Sequence, residues 1–157
     1  MPSLNYDTLF LQIKSLLQGE IDLIANLSNT AAALHIALNQ HWTGFYIVKN
    51  NELVLGPFQG PVACTRIEKG KGVCGSAWLN KQAIVVDNVH EFEGHIACSA
   101  LSNSEIVVPI IVNNEVQAVL DIDSIEYSAF NNADLEFLTK VCTLLSESFK
   151  LSQDKVN

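Results

Sequence analysis

Three of the four cysteines, Cys64, Cys74 and Cys98, fall within 35 residues, and a pair of carboxylates, Asp121 and Asp123, follows two residues apart. Thiolates are nucleophiles, metal ligands and redox centres, and in a reducing compartment a thiol cluster serves those ends more often than structural cross-linking. Carboxylates move protons and receive cations. Side chains alternate across a strand, so in Ala118-Val-Leu-Asp-Ile-Asp123 the residues Ala118, Leu120 and Ile122 share one face and Asp121 and Asp123 the other. Asp is depleted in strands, and two carboxylates on one face repel unless water or a cation lies between them. Under a covering loop, a ligand ammonium would stabilise both; a solvated strand face is the plain alternative.

Trp42 and Tyr46 stand four residues apart in a strand-like run with Gly44 between them. An aromatic pair over a gap at the glycine would hold an apolar group with a charged end, whereas ordinary core packing is the competing reading. Glu105 opens the strand preceding the aspartates. Cys142 lies on an apolar helical stripe and reads as a small buried hydrophobe. Cys64, Cys74 and Cys98 lie in or beside predicted loops. Cys74 follows Lys69 and Lys71 and would occupy the first turn of a short helix, two features that lower a thiol pKa. Zinc is the rival reading of the cluster: His90, His95 and Cys98 with Cys64 or Cys74. Structural zinc sites carry tight Cys-x2-4-Cys pairs, and this chain has none, so no metal and no cofactor are expected. His35 and His41 read as cap or surface residues. The sequence contains no G-x-S-x-G, Walker or Rossmann pattern.

Elements at both ends must position these groups. Helical spacing covers Tyr6 to Leu17 and Ile21 to Leu38, and a last helix begins at Asn131 or Asn132 with Leu135, Leu138, Val141, Leu145 and Phe149 on its apolar side. Between them, Trp42–Val48 and Glu52–Phe58 form a hairpin across Asn50-Asn51, and Glu105–Val112 and Glu115–Ile125 another across Asn113-Asn114. Gly60 to Gly75 reads as loop, a short helix starts near Gly72, Ala83–Val86 is a short strand, and Asp87–Asn103 is a long loop or lid. The fold class is α+β: a central antiparallel sheet with the N- and C-terminal helices on one face and a loop-covered pocket on the other. At 157 residues, one domain is expected. A net charge of −8 disfavours nucleic acid and anionic membranes. Without a signal-like or membrane-spanning run, the expected location is the cytoplasm.

These residues and their order resemble one family. Trp42-Thr-Gly-Phe-Tyr46, Gly-Pro-Phe-Gln-Gly60 followed by Cys64, Gly70-Lys-Gly-Val-Cys74-Gly, Asp87-Asn-Val-His90, His95-Ile-Ala-Cys98, Ser104-Glu105-Ile-Val-Val-Pro109 and Leu120-Asp-Ile-Asp123-Ser look like the free methionine-(R)-sulfoxide reductases, which are stand-alone GAF domains. The resemblance runs from about Tyr6 to Phe149. It implies that residues 1–157 form a single GAF domain and that the substrate is free methionine-(R)-sulfoxide. It implies attack by a thiolate, a cysteine sulfenic acid, an intramolecular disulfide, and recycling by thioredoxin. By position Cys98 resembles the nucleophile, and Cys64 and Cys74 the cysteines that resolve or pair with it, the division between them staying open. Glu105, Asp121 and Asp123 correspond to the acidic pocket residues, binding the ammonium and protonating or polarising the sulfoxide oxygen; Trp42 and Tyr46 correspond to the aromatics around the thioether end. Homodimers are common in the family, and the apolar stripes permit one.

Two other functions stand beside the enzyme. A non-catalytic GAF sensor would bind a small molecule without turnover, although Glu105, Asp121 and Asp123 are ill suited to a nucleotide phosphate. A redox switch would use its disulfide to alter a partner contact, and a lone domain without an output module fits that poorly.

Overall fold

Asn5, Asp22 and Asn131 open three helices in the computed structural model, which describes residues 3–155; the ends of the expected 1–157 span lie outside the described residues. Each has a short side chain that accepts the first free backbone N–H groups. The Asn5 side chain accepts from Thr8 N at the start of α1 (Tyr6–Leu17). Asp22 accepts from Ala25 N at the start of α2 (Leu23–Leu38). That cap explains why α2 begins two residues later than Ile21, which is left exposed. Asn131 accepts from Ala133 N and Asp134 N, and Asp134 accepts in return from Asn131 N, a capping box that opens α4 (Asn132–Asp154). Tyr6 Oη also donates to Asp134, and its ring stacks on Phe137 with centroids 4.6 Å apart, tying α1 to α4.

The strands are β1 (Trp42–Lys49), β2 (Glu52–Gln59), β3 (Arg66–Ile67), β4 (Ile84–Val86), β5 (Ser104–Val112) and β6 (Glu115–Ser124), with α3 (Gly72–Asn80) between β3 and β4. They form one antiparallel sheet in the order β3-β2-β1-β6-β5-β4. Both hairpins turn on Asn-Asn pairs with positive φ, 50° and 64° at Asn50 and Asn51 and 50° and 63° at Asn113 and Asn114. Two positive φ values in a two-residue loop match the right-handed strand twist. The β3 strand was not anticipated in the Gly60–Gly75 loop. Its two residues pair only because Leu53 and Val54 on β2 offer them a free edge. A 3-10 turn, Val89–Glu91, likewise interrupts the expected 87–103 loop.

The sheet has a core on each face. Phe45, Ile106, Val108, Ala118, Leu120 and Ile122 point to the helices α1, α2 and α4. Trp42, Tyr46, Val107 and Val119 point the other way, against Val73, Ala77 and Trp78 of α3. The pocket face is therefore covered by a helix as well as by loops. Cys142 is buried in the first core, its Sγ 3.8 Å from the Val108 carbonyl, and burial pushes its pKa up; it is the small hydrophobe its position implies.

Gly44 does not leave a gap. A Cβ there would lie 2.4 Å from Phe58 Cβ and 2.7 Å from the Trp42 ring. The glycine is needed because the Trp42 indole folds over it and stacks on Phe58, with centroids 5.3 Å apart. Gly44→Ala should therefore lower stability by about 2–3 kcal/mol through overpacking, read as a shift of the urea midpoint. An unchanged midpoint would mean that the indole can leave Gly44 without cost.

Candidate active site

Strand pairing builds the floor. Trp42 of β1 and Glu105 of β5 both stand opposite Asp123 of β6, and in the adjacent row Gly44 and Val107 stand opposite Asp121. Residues directly opposed in a sheet have Cβ atoms about 5 Å apart, so three carboxyls from two strands meet on one face beside the indole. The parity of 118–123 holds: Leu120 and Ile122 enter the helical core, and Asp121 and Asp123 face the pocket.

The carboxyls are largely out of water and, among the described residues, none of them is in an ion pair. Glu105 and Asp121 are each 6% exposed, Asp123 is partly exposed, and none of the three ion pairs among the described residues involves them. Burial and mutual repulsion raise the Glu105 and Asp123 pKa values well above the carboxylate range, and burial takes Asp121 to about 6. At neutral pH the trio does not carry its full negative charge.

Cys74 joins this floor from the first turn of α3. Its Sγ is 3.9 Å from Glu105 Oε1, and one donor atom each from Cys74, Glu105 and Asp121 lie within 4.8 Å of one another. The lysines and helix start do not make it a reactive thiolate, contrary to the reading of its sequence neighbours. Burial and the charges of Asp121, Glu105 and Asp123 raise its pKa well above the usual thiol value, while Lys69 is turned away, 4.9 Å from the Trp78 ring centroid.

Two loops close over the floor. Cys64 follows β2, Cys98 lies in the 87–103 loop, and a disulfide joins them with Cα atoms 5.3 Å apart. Cys74 and Cys142 are free and buried. The β1 aromatics hold the first loop: Trp42 Nε1 donates to Pro61 O (3.1 Å) and Tyr46 Oη to Cys64 O (2.9 Å). Both side chains therefore line the pocket and also anchor the loop that carries the disulfide cysteine Cys64. The second loop is tied by Ser99 to His41 Nε2 (3.2 Å) and by Asn103, which meets His90 Nε2 (2.9 Å) and donates to Ile125 O. His41 thus reaches the lid, and His35 meets Thr43 Oγ1. The histidine-cysteine zinc set does not assemble: Cys64 and Cys98 are bonded to each other, His90 is paired with Asn103, and Cys74 sits with the carboxyls.

All eight residues singled out from the sequence, Cys64 apart, line one small cavity of about 40 Å³, and Cys64 bridges to its wall through Cys98. Among the described residues, three buried side-chain atoms have no hydrogen-bond partner: His95 Nδ1, Ser102 Oγ and Asp121 Oδ1. All three residues line this same cavity. The sequence does not single out Ser102, and it offers His95 as a metal ligand and as the first residue of the His95-Ile-Ala-Cys98 motif without a place in the pocket. They lie in a loop, where no periodicity says which way a side chain faces; their one signal was nearness to Cys98.

A family model described as GAF domain matches residues 22–149. The chain is 51% identical over 141 residues to GAF domain-containing protein A of Dictyostelium discoideum, covering 89% of each chain. It is 44% identical over 143 residues to the free methionine-R-sulfoxide reductase of Escherichia coli, covering 90% of this chain and 87% of that protein. The free methionine-R-sulfoxide reductase of Neisseria meningitidis, solved in complex with its substrate, superposes with a TM-score of 0.93 at 45% identity, covering 96% of this chain and 91% of that one.

The buried carboxyls have a consequence for stability. A carboxyl whose pKa is raised by folding binds its proton more tightly in the folded state, so its contribution is full below about pH 4 and is lost as pH rises through the folded value. For Asp121 that window runs from the ordinary 3.8 to about 6. Asp121→Asn should gain stability relative to the parent protein across this range, on the order of 3 kcal/mol by pH 7. Urea denaturation of both proteins at pH 4, 5, 6 and 7 checks it; a difference independent of pH would contradict the raised pKa.

Proposed function

The chain belongs to the free methionine-R-sulfoxide reductases, within the GAF domain family, and from that premise we propose how its pocket carries out the reduction. The activity is reduction of free methionine-(R)-sulfoxide to methionine, an oxidoreductase reaction at sulfur. The observation that carries the assignment of residues is a disulfide, Cys64–Cys98, closed over a floor of three uncompensated carboxyls.

Cys98 attacks the sulfoxide sulfur. Methionine is released as the sulfoxide oxygen passes to Cys98, which becomes the sulfenic acid. Cys64 then displaces that oxygen as water, forming the disulfide, so both electrons given to the substrate come from the two thiols. A dithiol of thioredoxin restores both by exchange. The disulfide supports Cys64 as the resolving cysteine. Cys74, buried and raised in pKa, remains a thiol and donates to Glu105.

The carboxyls divide two tasks. Ionised, they receive the substrate ammonium, the cation this floor lacks. Protonated, one supplies the proton the departing oxygen needs, and crowding keeps such a proton available near neutral pH. Trp42 and Tyr46 hold the thioether end. An amide in place of the ammonium would leave buried carboxylates unpaired, which favours the free amino acid over a peptide. The same reading includes cytoplasmic operation with a reducing thiol pool, no nucleic-acid or membrane partner for a chain of net charge −8, and a homodimer through the terminal helices, where Leu11 and Leu16 are exposed. No helix among the described residues is long and apolar enough to cross a membrane.

The reduced protein, given thioredoxin, its reductase and NADPH, should consume NADPH with the R epimer of free methionine sulfoxide and not with the S epimer, one methionine appearing per NADPH. No consumption with either epimer would favour the GAF sensor reading. Cys98→Ser should lose single-turnover methionine release by roughly a thousandfold or more. Cys64→Ser should release one methionine per protein and then stall, even with Cys74 present; sustained thioredoxin-driven turnover by Cys64→Ser would move the resolving role elsewhere.

A further inference from the structure

A sulfoxide oxygen accepts hydrogen bonds and donates none, as does an ionised carboxylate. The carboxyls of the floor can donate to that oxygen only through whichever of them is protonated, so a hydroxyl at the same place adds a donor that does not depend on their protonation. Most donors around the cavity are committed: the Trp42 indole to Pro61 O, the Tyr46 hydroxyl to Cys64 O, the Cys74 thiol to Glu105, and Ser99 to His41. Among the buried side-chain atoms lining this cavity, His95 Nδ1, Ser102 Oγ and Asp121 Oδ1 have no partner, and the first two belong to groups other than the carboxyls; Lys71 also lines the cavity but is exposed. His95 is partly exposed in the lid. Ser102 is 3% exposed, follows Cys98 by four residues in the same loop, and lines the cavity with Cys98 and Asp123. Its hydroxyl lies close enough to Asp123 to favour the ionised carboxylate, yet no hydrogen bond of good geometry engages it. A buried hydroxyl without a partner is costly, and a ligand oxygen removes that cost.

We propose that Ser102 recognises the sulfoxide oxygen, donating its hydroxyl proton to it and thereby distinguishing the sulfoxide substrate from the thioether product. The proposal rests on the reading of this pocket as the site of sulfoxide reduction. As the Cys98 sulfur attacks, negative charge grows on that oxygen and the bond strengthens, as with donors that stabilise other developing oxyanions. The Ser102 oxygen retains acceptor capacity for a protonated Asp123, so the hydroxyl also links the reacting oxygen to an acid.

The experiment measures kcat/KM for free methionine-(R)-sulfoxide and the inhibition constant of methionine, with dithiothreitol as reductant, in the parent protein and in Ser102→Ala. The loss in kcat/KM should be roughly 10- to 100-fold, with methionine inhibition changed less than about threefold, since methionine lacks the oxygen. Ser102→Thr and Ser102→Val, which match each other in size and differ in the hydroxyl, give the same comparison should Ser102→Ala not fold; the threonine form should be the more active by a similar factor. Equal weakening toward sulfoxide and methionine would overturn the proposal by placing Ser102 at the amino-acid end or in the fold alone. Unimpaired Ser102→Ala in an active parent background would overturn it as well. An inactive parent protein would instead overturn the reading beneath it.

Discussion

Three carboxyls held together out of water, without a cation, are the constraint on which the rest of this structure turns. Ionised and isolated in such a place, each would cost several kcal/mol. Burial raises the pKa values of Glu105, Asp121 and Asp123 alike, so the fold limits that cost by keeping the trio short of its full charge at neutral pH. Two central strands are required to bring them together, and neither can slip by one residue without turning its own core side chains, Ile106 and Val108 of β5 or Leu120 and Ile122 of β6, toward the pocket. The helical core on the far face therefore sets the register of the floor. A stability sacrificed at the floor and recovered in two hydrophobic cores is the usual arrangement of a binding site.

The same floor links to the disulfide above it through shared side chains. Trp42 lies in the row of Asp123 and also holds Pro61; Tyr46 holds the carbonyl of Cys64. The loop bearing Cys64 is thus referenced to the strand beneath the substrate, and the loop bearing Cys98 to His41 at that strand's entrance. The Cys64–Cys98 disulfide needs this common frame, because disulfide formation tolerates only a narrow range of Cα separation. Cys74, placed under the loops and against Glu105, is free and buried while Cys64 and Cys98 are paired.

Regular elements were legible in the sequence wherever a short-range rule governs them. Both hairpins follow from their Asn-Asn turns, α1 from its apolar spacing, and the split of residues 118–123 between two faces from strand parity. The rule failed where a partner distant in sequence decides. β3 exists through the open edge of β2, and α2 starts late because Asp22 was free to cap it. Gly44 looked like open space, but the indole two residues away folds onto it. Cys74 looked activated by adjacent lysines, yet Lys69 points to Trp78, and strands some thirty to fifty residues later supply acidic neighbours instead.

The sequence by itself determined the chemical inventory: which residues could attack, protonate and enclose, and, through period two and period 3.6, which of them share a face. It carried a family pattern dense enough to imply a reaction. Only the tertiary structure decided which thiols meet and what surrounds each acid. Cys64 pairs with Cys98 because two loops converge over β1, and Ser102 turns inward to an unpartnered position that no periodicity encodes. Pairing and pKa depend on distances of a few ångströms between residues far apart in the chain, and those distances exist only once the sheet has closed its register.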